Sequence, residues 1–175
     1  IHIFNMLENS TLGELTAHTG AVTCLDFFED SYLLSGSDDN SICIWRTHDW
    51  MCVHILGGHK ASVNCVAVHP TGKLAVSVAR DNTLKVWNLI QGRIAFTRRL
   101  KGSASLVKWL KPSGASYMLV VDKKVEVYDT SDNSLTAVLQ HNSRVNQADF
   151  LGSDGKMLSV CEDKALRVFN DKGQM

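Results

Sequence analysis

Three histidines, His18, His59 and His141, are each followed at matched distances by a serine and an aspartate: Ser35 and Asp39, Ser77 and Asp81, Ser159 and Asp163. An imidazole, a hydroxyl and a carboxylate are the parts of an acyl-transfer site, where the carboxylate orients the imidazole and the imidazole takes the hydroxyl proton. A hydrolase needs the set once. Three copies at regular spacing point instead to hydrogen-bonded struts, because buried polar side chains must satisfy one another. The stretch SGSDDN, residues 35–40, resembles the start of a calcium loop, but it lacks the later bidentate glutamate and runs at once into an apolar segment. The chain has no glycine-rich phosphate loop and no nucleophile elbow. The expectation is a non-enzyme with no catalytic residue, no metal and no cofactor.

The elements that would position these residues follow from a longer period. Phe4, Trp45, Trp87, Tyr128 and Phe169 recur at spacings of 41, 42, 41 and 41 residues, and Asp39, Asp81, Asp122 and Asp163 each stand six residues before the last four aromatics. Each unit reads as alternating apolar run, turn, run, aspartate-centred turn, run ending in the aromatic, and a final run. That is the grammar of four short antiparallel strands. In the unit after His59 the runs are SVNCVAV, LAVSVA, TLKVW and RIAFTRR. Helical periodicity is absent. The two prolines, Pro70 and Pro112, fall in turns between first and second runs, where a missing amide donor costs nothing.

A four-stranded unit of this length with a Gly-His start and an aromatic close is the signature of a β-propeller blade of the WD-repeat type. The residues that carry it are GGH at 57–59 with ARDNTLKVWN at 79–88, and TAH at 16–18 with SDDNSICIWR at 37–46. The fold class expected is therefore all-β, a WD-repeat β-propeller, with about four blades of a presumed seven-bladed ring. The expected divisions within one propeller domain are 1–17 as the end of an upstream blade, 18–58, 59–99 and 100–140 as blades, and 141–175 as an incomplete blade. Ile1 to Phe4 reads as the third strand of an upstream blade, so the expectation is an excerpt of a longer polypeptide. In the WD-repeat family a blade histidine, a strand-two serine or threonine, the turn aspartate and the tryptophan form a tetrad. The resemblance implies tetrads His18–Ser35–Asp39–Trp45, His59–Ser77–Asp81–Trp87 and, with phenylalanine in place of tryptophan, His141–Ser159–Asp163–Phe169. The unit at 100–140 has no histidine in register and is degenerate. If the repeated set were catalytic, Ser77→Ala would abolish a turnover without loosening the fold; the strut reading expects destabilisation of about 1–3 kcal/mol instead.

Of 175 residues, 45% are hydrophobic, ample for a buried core, and no apolar run is long enough to cross a bilayer. The first ten residues, IHIFNMLENS, have neither the basic segment nor the hydrophobic core of a secretion signal. The five cysteines, Cys24, Cys43, Cys52, Cys65 and Cys161, are odd in number and include no C-x-x-C pair, which fits a reducing compartment. Cys24 and Cys65 occupy matching places in AVTCLDFF and SVNCVAVH, where they would fill a strand's inner face. His2, His48, His54 and His69 read as surface or turn residues, and Trp50 and Trp109, off the aromatic register, as packing residues.

The net charge of zero hides a gradient. Residues 1–59 hold eight acidic and one basic residue, residues 60–111 one acidic and ten basic, and residues 112–175 nine acidic and seven basic. Such asymmetry fits either a nucleic-acid or acidic-protein footprint or an ordinary solvated face balanced by acidic neighbouring blades. Blade topology expects Lys60, Arg80, Arg99 and Lys101 on one rim, with Arg98 beside them, as a partner or RNA surface.

The runs VHPTGKLAVSVARDNTLKVWNLIQGRIAF (68–96) and YLLSGSDDNSICIWRTHDWMCVHIL (32–56) resemble the p21-activated-kinase-interacting protein family of eukaryotic WD-repeat proteins, and the weak unit ASLVKWLKPSGASYMLVVDKKVEVYD (104–129) is similar too. The resemblance implies a scaffold in assembly of the large ribosomal subunit, in the nucleolus or nucleus, with ribosome assembly factors and pre-ribosomal RNA as partners. It also implies an alternative, a cytoplasmic signalling adaptor that binds and restrains a p21-activated-type protein kinase. No membrane and no small-molecule substrate is expected.

Overall fold

The computed structural model describes residues 1–170 and 172–174. Among them there is no helix. β1 (His2–Asn5) and β2 (Ser10–Glu14) form a two-stranded sheet, followed by three four-stranded antiparallel blades. The first blade holds β3 (Val22–Phe28), β4 (Tyr32–Ser37), β5 (Ile42–Arg46) and β6 (Met51–Leu56), in that spatial order. The second holds β7 (Val63–Val68), β8 (Leu74–Ala79), β9 (Thr83–Asn88) and β10 (Arg93–Arg99). The third holds β11 (Ala104–Trp109), β12 (Ser116–Val121), β13 (Lys124–Asp129) and β14 (Leu135–Gln140). β15 (Val145–Leu151), β16 (Lys156–Cys161) and β17 (Leu166–Phe169) make a three-stranded sheet. This is the all-β, four-blade propeller arrangement that the 41-residue period expects.

The sheets pack face to face with neighbouring inner strands β3, β7, β11 and β15 side by side, so the core lies between blades. Leu34, Ile42 and Ile44 of the first blade bury against Val63, Val66, Val68 and Trp87 of the second; Val76, Val78 and Leu84 of the second bury against Val107, Leu119 and Tyr117 of the third. Both faces of the second strand of a blade are therefore covered: β8 runs Leu-Ala-Val-Ser-Val-Ala with its last five residues buried, whereas outer strand β10 is exposed along almost its whole length. Continuous burial explains why β8 lacks strict alternation.

A feature unread in the sequence recurs in every blade. The first strand is bulged against the second at the same place, at Thr23, Asn64, Ser105 and Asn146, each 41 residues apart. A bulge points the extra residue sideways, and two of these polar side chains stitch adjacent blades: the Thr23 hydroxyl donates to the Val63 carbonyl at 2.5 Å, and Asn64 Nδ2 to the Ala104 carbonyl at 2.7 Å. Close blade contact also fixes Gly36, where a Cβ would sit 2.7 Å from both Cys24 Sγ and Val63 Cγ1.

All first and third strands run one way and all second and fourth the other. The second-to-third turns and the connections between blades consequently share one end of the propeller, and the first-to-second and third-to-fourth turns share the opposite end.

Candidate functional site

The first end carries the repeated polar sets. In the first blade His18 Nε2 is 2.8 Å from Ser35 Oγ, His18 Nδ1 is 3.0 Å from Asp39 Oδ2, and Trp45 Nε1 donates to Ser35 Oγ at 2.8 Å. The second blade repeats this at 2.7, 3.0 and 2.8 Å with His59, Ser77, Asp81 and Trp87. The proton inventory is closed. The indole can only donate, so the serine accepts from it and gives its own proton to Nε2, leaving Nδ1–H to face the carboxylate. Neutral imidazole and ionised carboxylate satisfy every contact. Burial, the larger effect, pushes the His59 pKa down against the pull of Asp81. Asp81, despite burial acting the other way, is held at about 2 by the Thr83 hydroxyl, the Lys60 amide and His59; Asp39 is lowered in the same manner, against burial, by Ser41, the Thr19 amide and His18.

Chemically, these sets lack what acyl transfer requires. Ser35 and Ser77 are 0% exposed, and each hydroxyl is engaged as donor and acceptor, so no substrate carbonyl reaches either. The carboxylates of SGSDDN are likewise occupied: Asp38 accepts from the Ser62 hydroxyl, and Asp39 takes the Ser41 amide and hydroxyl besides His18.

One member of each network was missed in the sequence. Ser41 and Thr83 stand two residues after the aspartates, and their hydroxyls donate to Asp39 Oδ1 at 2.5 Å and Asp81 Oδ1 at 2.6 Å. The signal was legible as Asp-x-Ser/Thr, and its failure after Asp122 (Lys124) and Asp163 (Ala165) marks the two units whose networks do not form.

The set His141–Ser159–Asp163–Phe169 requires correction. His141 Nε2 does approach Ser159 Oγ at 2.8 Å, and the imidazole lies edge-on to Phe169, but Nδ1 turns to the Leu139 carbonyl at 3.1 Å. Asp163 pairs instead with Arg167, whose Nη2 is 2.6 Å away. Asp163 lies in the turn before β17 and Arg167 is the second residue of that strand, so the guanidinium reaches back over the turn to engage both carboxylate oxygens, a bidentate charge-assisted pair that outcompetes an imidazole. In the degenerate blade Asp122 occupies a two-residue turn at φ 52°, with no histidine to meet.

Of the five cations expected on the rim, Lys60, Arg80, Arg99 and Lys101 are exposed at this end. The Lys60 amide donates to Asp81, the Arg80 amide to the Ser62 carbonyl at 2.9 Å, and the Leu100 amide to the Asn82 carbonyl at 2.8 Å, which ties all four segments to one turn. Arg98 is the exception and leaves the proposed surface. It is half-buried, lies 4.3 Å over the Tyr128 ring, and donates to the Tyr128 hydroxyl at 3.2 Å, while that hydroxyl donates to Glu126 at 2.8 Å. Arg98 thus clamps the second blade to the third, where a histidine is missing. Arg98→Ala should cost about 1 kcal/mol in urea denaturation, the scale of a partly desolvated cation–π contact, and leave polyanion binding unchanged.

Trp109 is buried, donating to the Ala67 carbonyl at 3.2 Å with His69 and Tyr117 edge-on, and Trp50 is half-buried in a turn at φ 57°. All five cysteines are free thiols; burial pushes Cys65 up to about 11. No group of three or more metal-ligating side chains converges among the described residues.

Comparison with known proteins agrees with this architecture. Residues 9–46 and 50–88 match the family described as WD domain, G-beta repeat. Each match begins at or just before an outer strand and ends with the third strand of the next blade, so the repeat is offset from the blade and stitches neighbours together. The chain is 37% identical over 174 residues to the p21-activated protein kinase-interacting protein 1-like of Gallus gallus, covering 99% of this chain and 47% of that protein. It is 35% identical over 170 residues to the p21-activated protein kinase-interacting protein 1 of Homo sapiens, and 34% over 149 residues, 74% of the chain, to Protein MAK11 of Saccharomyces cerevisiae. The chain spans about half the length of the curated relatives it matches first.

Proposed function

We propose that this chain, a WD-repeat protein homologous along 99% of its length to p21-activated protein kinase-interacting proteins, serves as a non-catalytic scaffold in assembling large-ribosomal-subunit precursors in the nucleolus. The observation that carries the reading is the rim of Lys60, Arg80, Arg99 and Lys101, exposed cations gathered beside fully satisfied struts. The struts hold the turn; the charges are what a partner meets. A rigid cationic rim attracts precursor RNA or an acidic stretch of another assembly factor by electrostatics and needs no pocket. The homology to large-subunit assembly factors implied by the sequence resemblance supplies the setting.

Sedimentation of the tagged full-length protein from cell extract on a density gradient, with and without ribonuclease, tests this. Migration with large precursor particles that ribonuclease disperses is expected; a small, nuclease-insensitive complex would overturn it. The relatives' names favour a second reading, an adaptor that binds a p21-activated-type kinase in the cytoplasm. In that case the small complex would contain the kinase.

A further inference from the structure

The cationic rim does not stop at the second blade. The third blade places Lys123 and Lys124 in and beside its second-to-third turn, the connection that follows holds Arg144, and the next such turn holds Lys164; all four are exposed. Backbone hydrogen bonds join these segments to one another: His141 N to Lys123 O at 2.9 Å, Val145 N to Asp122 O at 2.9 Å, and Glu162 N to Arg144 O at 3.0 Å. Ala104, just past Lys101, pairs with Val121, the residue before Asp122. The four cations of the second blade and these four consequently lie on one continuous arc across three blades.

The ion pairs are distributed unequally between the two ends. Among the described residues the lysines and arginines that contact carboxylates are Arg46, Lys108, Lys111, Lys156 and Arg167. The first four belong to the opposite end, where Lys108 meets Asp149 and Lys111 lies 3.9 Å from Asp26. None of the arc cations is among them. Four of the acidic residues of 112–175 also sit at the opposite end: Asp129 at the close of β13, Asp132 in the turn after it, and Asp149 and Asp154 near a first-to-second turn. On the arc itself Asp81 is bound by His59 and Asp163 by Arg167, leaving Asp122, Glu162 and, at the Lys60 end where it accepts from the Ser62 hydroxyl, Asp38 as the exposed counter-charges.

The same arc is poor in apolar anchors. Among the described residues the exposed large hydrophobics of these blades are Ile90, Ile94, Phe96, Leu135, Val138, Leu151, Leu166 and Val168, and of these only Leu166 stands at this end, at the start of β17. A protein partner's interface is built around buried aromatic or aliphatic anchors, whereas a nucleic-acid backbone is held by regularly placed cations alone.

We infer that the arc running from Lys60 to Lys164 is a track for the phosphodiester backbone of single-stranded RNA, laid across three blades. This rests on the assembly reading above and extends its contact surface beyond the basic blade. Each phosphate neutralised releases condensed counterions, so affinity falls with salt by about 0.7 logarithmic units per contact for a single strand.

The test is fluorescence anisotropy of a labelled 20-nucleotide oligouridine against the full-length protein from low to physiological salt. The triple variant Lys123→Gln, Arg144→Gln, Lys164→Gln should bind about tenfold more weakly, with a salt slope shallower by about 2. Arg80→Gln, Arg99→Gln, Lys101→Gln should behave alike, and Lys111→Gln, at the opposite end, should match wild type. Circular dichroism melting keeps loss of binding separate from loss of fold. Weak binding confined to the second-blade variant would overturn the extended track while leaving the assembly surface standing. Wild-type binding by both triple variants would remove the rim from both readings. Displacement of the oligonucleotide by polyglutamate at equal charge concentration would assign the arc to an acidic protein and overturn the RNA assignment.

Discussion

Trp87→Ala is expected to destabilise the protein by about 3–5 kcal/mol, the range for truncating a fully buried aromatic side chain. The indole is 1% exposed, packs in the core between the first two blades, and satisfies Ser77 through Nε1. Removing it opens a cavity between blades and orphans a buried acceptor at once. Trp87→Phe separates these losses, because phenylalanine retains most of the packed ring and deletes only the donor. The last sheet supplies the precedent: Phe169 stands at the equivalent place beside an intact His141–Ser159 hydrogen bond. Trp87→Phe should therefore cost less than half as much, about 1–2 kcal/mol. Equal losses in urea denaturation would show that the hydrogen bond, and not the packing, dominates.

Acid should unfold the protein in two stages. His59 is held neutral by burial, so its folded pKa lies below the unfolded value of about 6.5. Below that pH the unfolded chain binds a proton that the folded one resists, and stability begins to fall. Asp81, with a folded pKa of about 2, contributes stability that is complete above about pH 4 and lost as pH falls through 2. The difference amounts to about 2 kcal/mol for Asp81, and Asp39 acts in the same direction. Urea midpoints measured from pH 7 to pH 2 should decline along both limbs, and Asp81→Asn should flatten the lower one. A profile level down to pH 3 would contradict the charge states assigned to the struts.

Much of this was legible in the chain because a propeller repeats its burial. The aspartate-to-aromatic interval is fixed by a turn and the length of one strand, so Asp39–Trp45 and Asp81–Trp87 announce their register without any knowledge of the neighbours. What could not be read depends on contacts between blades. Alternation puts Arg98 on an outer strand and suggests solvent, yet it is the Tyr128 ring of the next blade that decides its position. Asp163 reads like Asp81 until Arg167, four residues on, competes for it. The polar residues Thr23 and Asn64 repeat at 41 residues, but nothing in a single strand reveals that a bulge turns them toward the adjacent blade. The regional charge sum of −2 masked Lys123, Arg144 and Lys164, since it adds together the two ends that the strands hold apart.

Buried struts keep the blades in shape, and in the proposed function the exposed charge is what a partner meets. The most direct test compares Ser77→Ala with Arg80→Glu, Arg99→Glu, Lys101→Glu for retention of the tagged full-length protein in large precursor particles, at a temperature where both variants are folded. Ser77→Ala, although less stable, is expected to remain with the particles, and the charge-reversed protein to be released into light fractions. Release of folded Ser77→Ala with retention of the charge-reversed variant would contradict that division of roles.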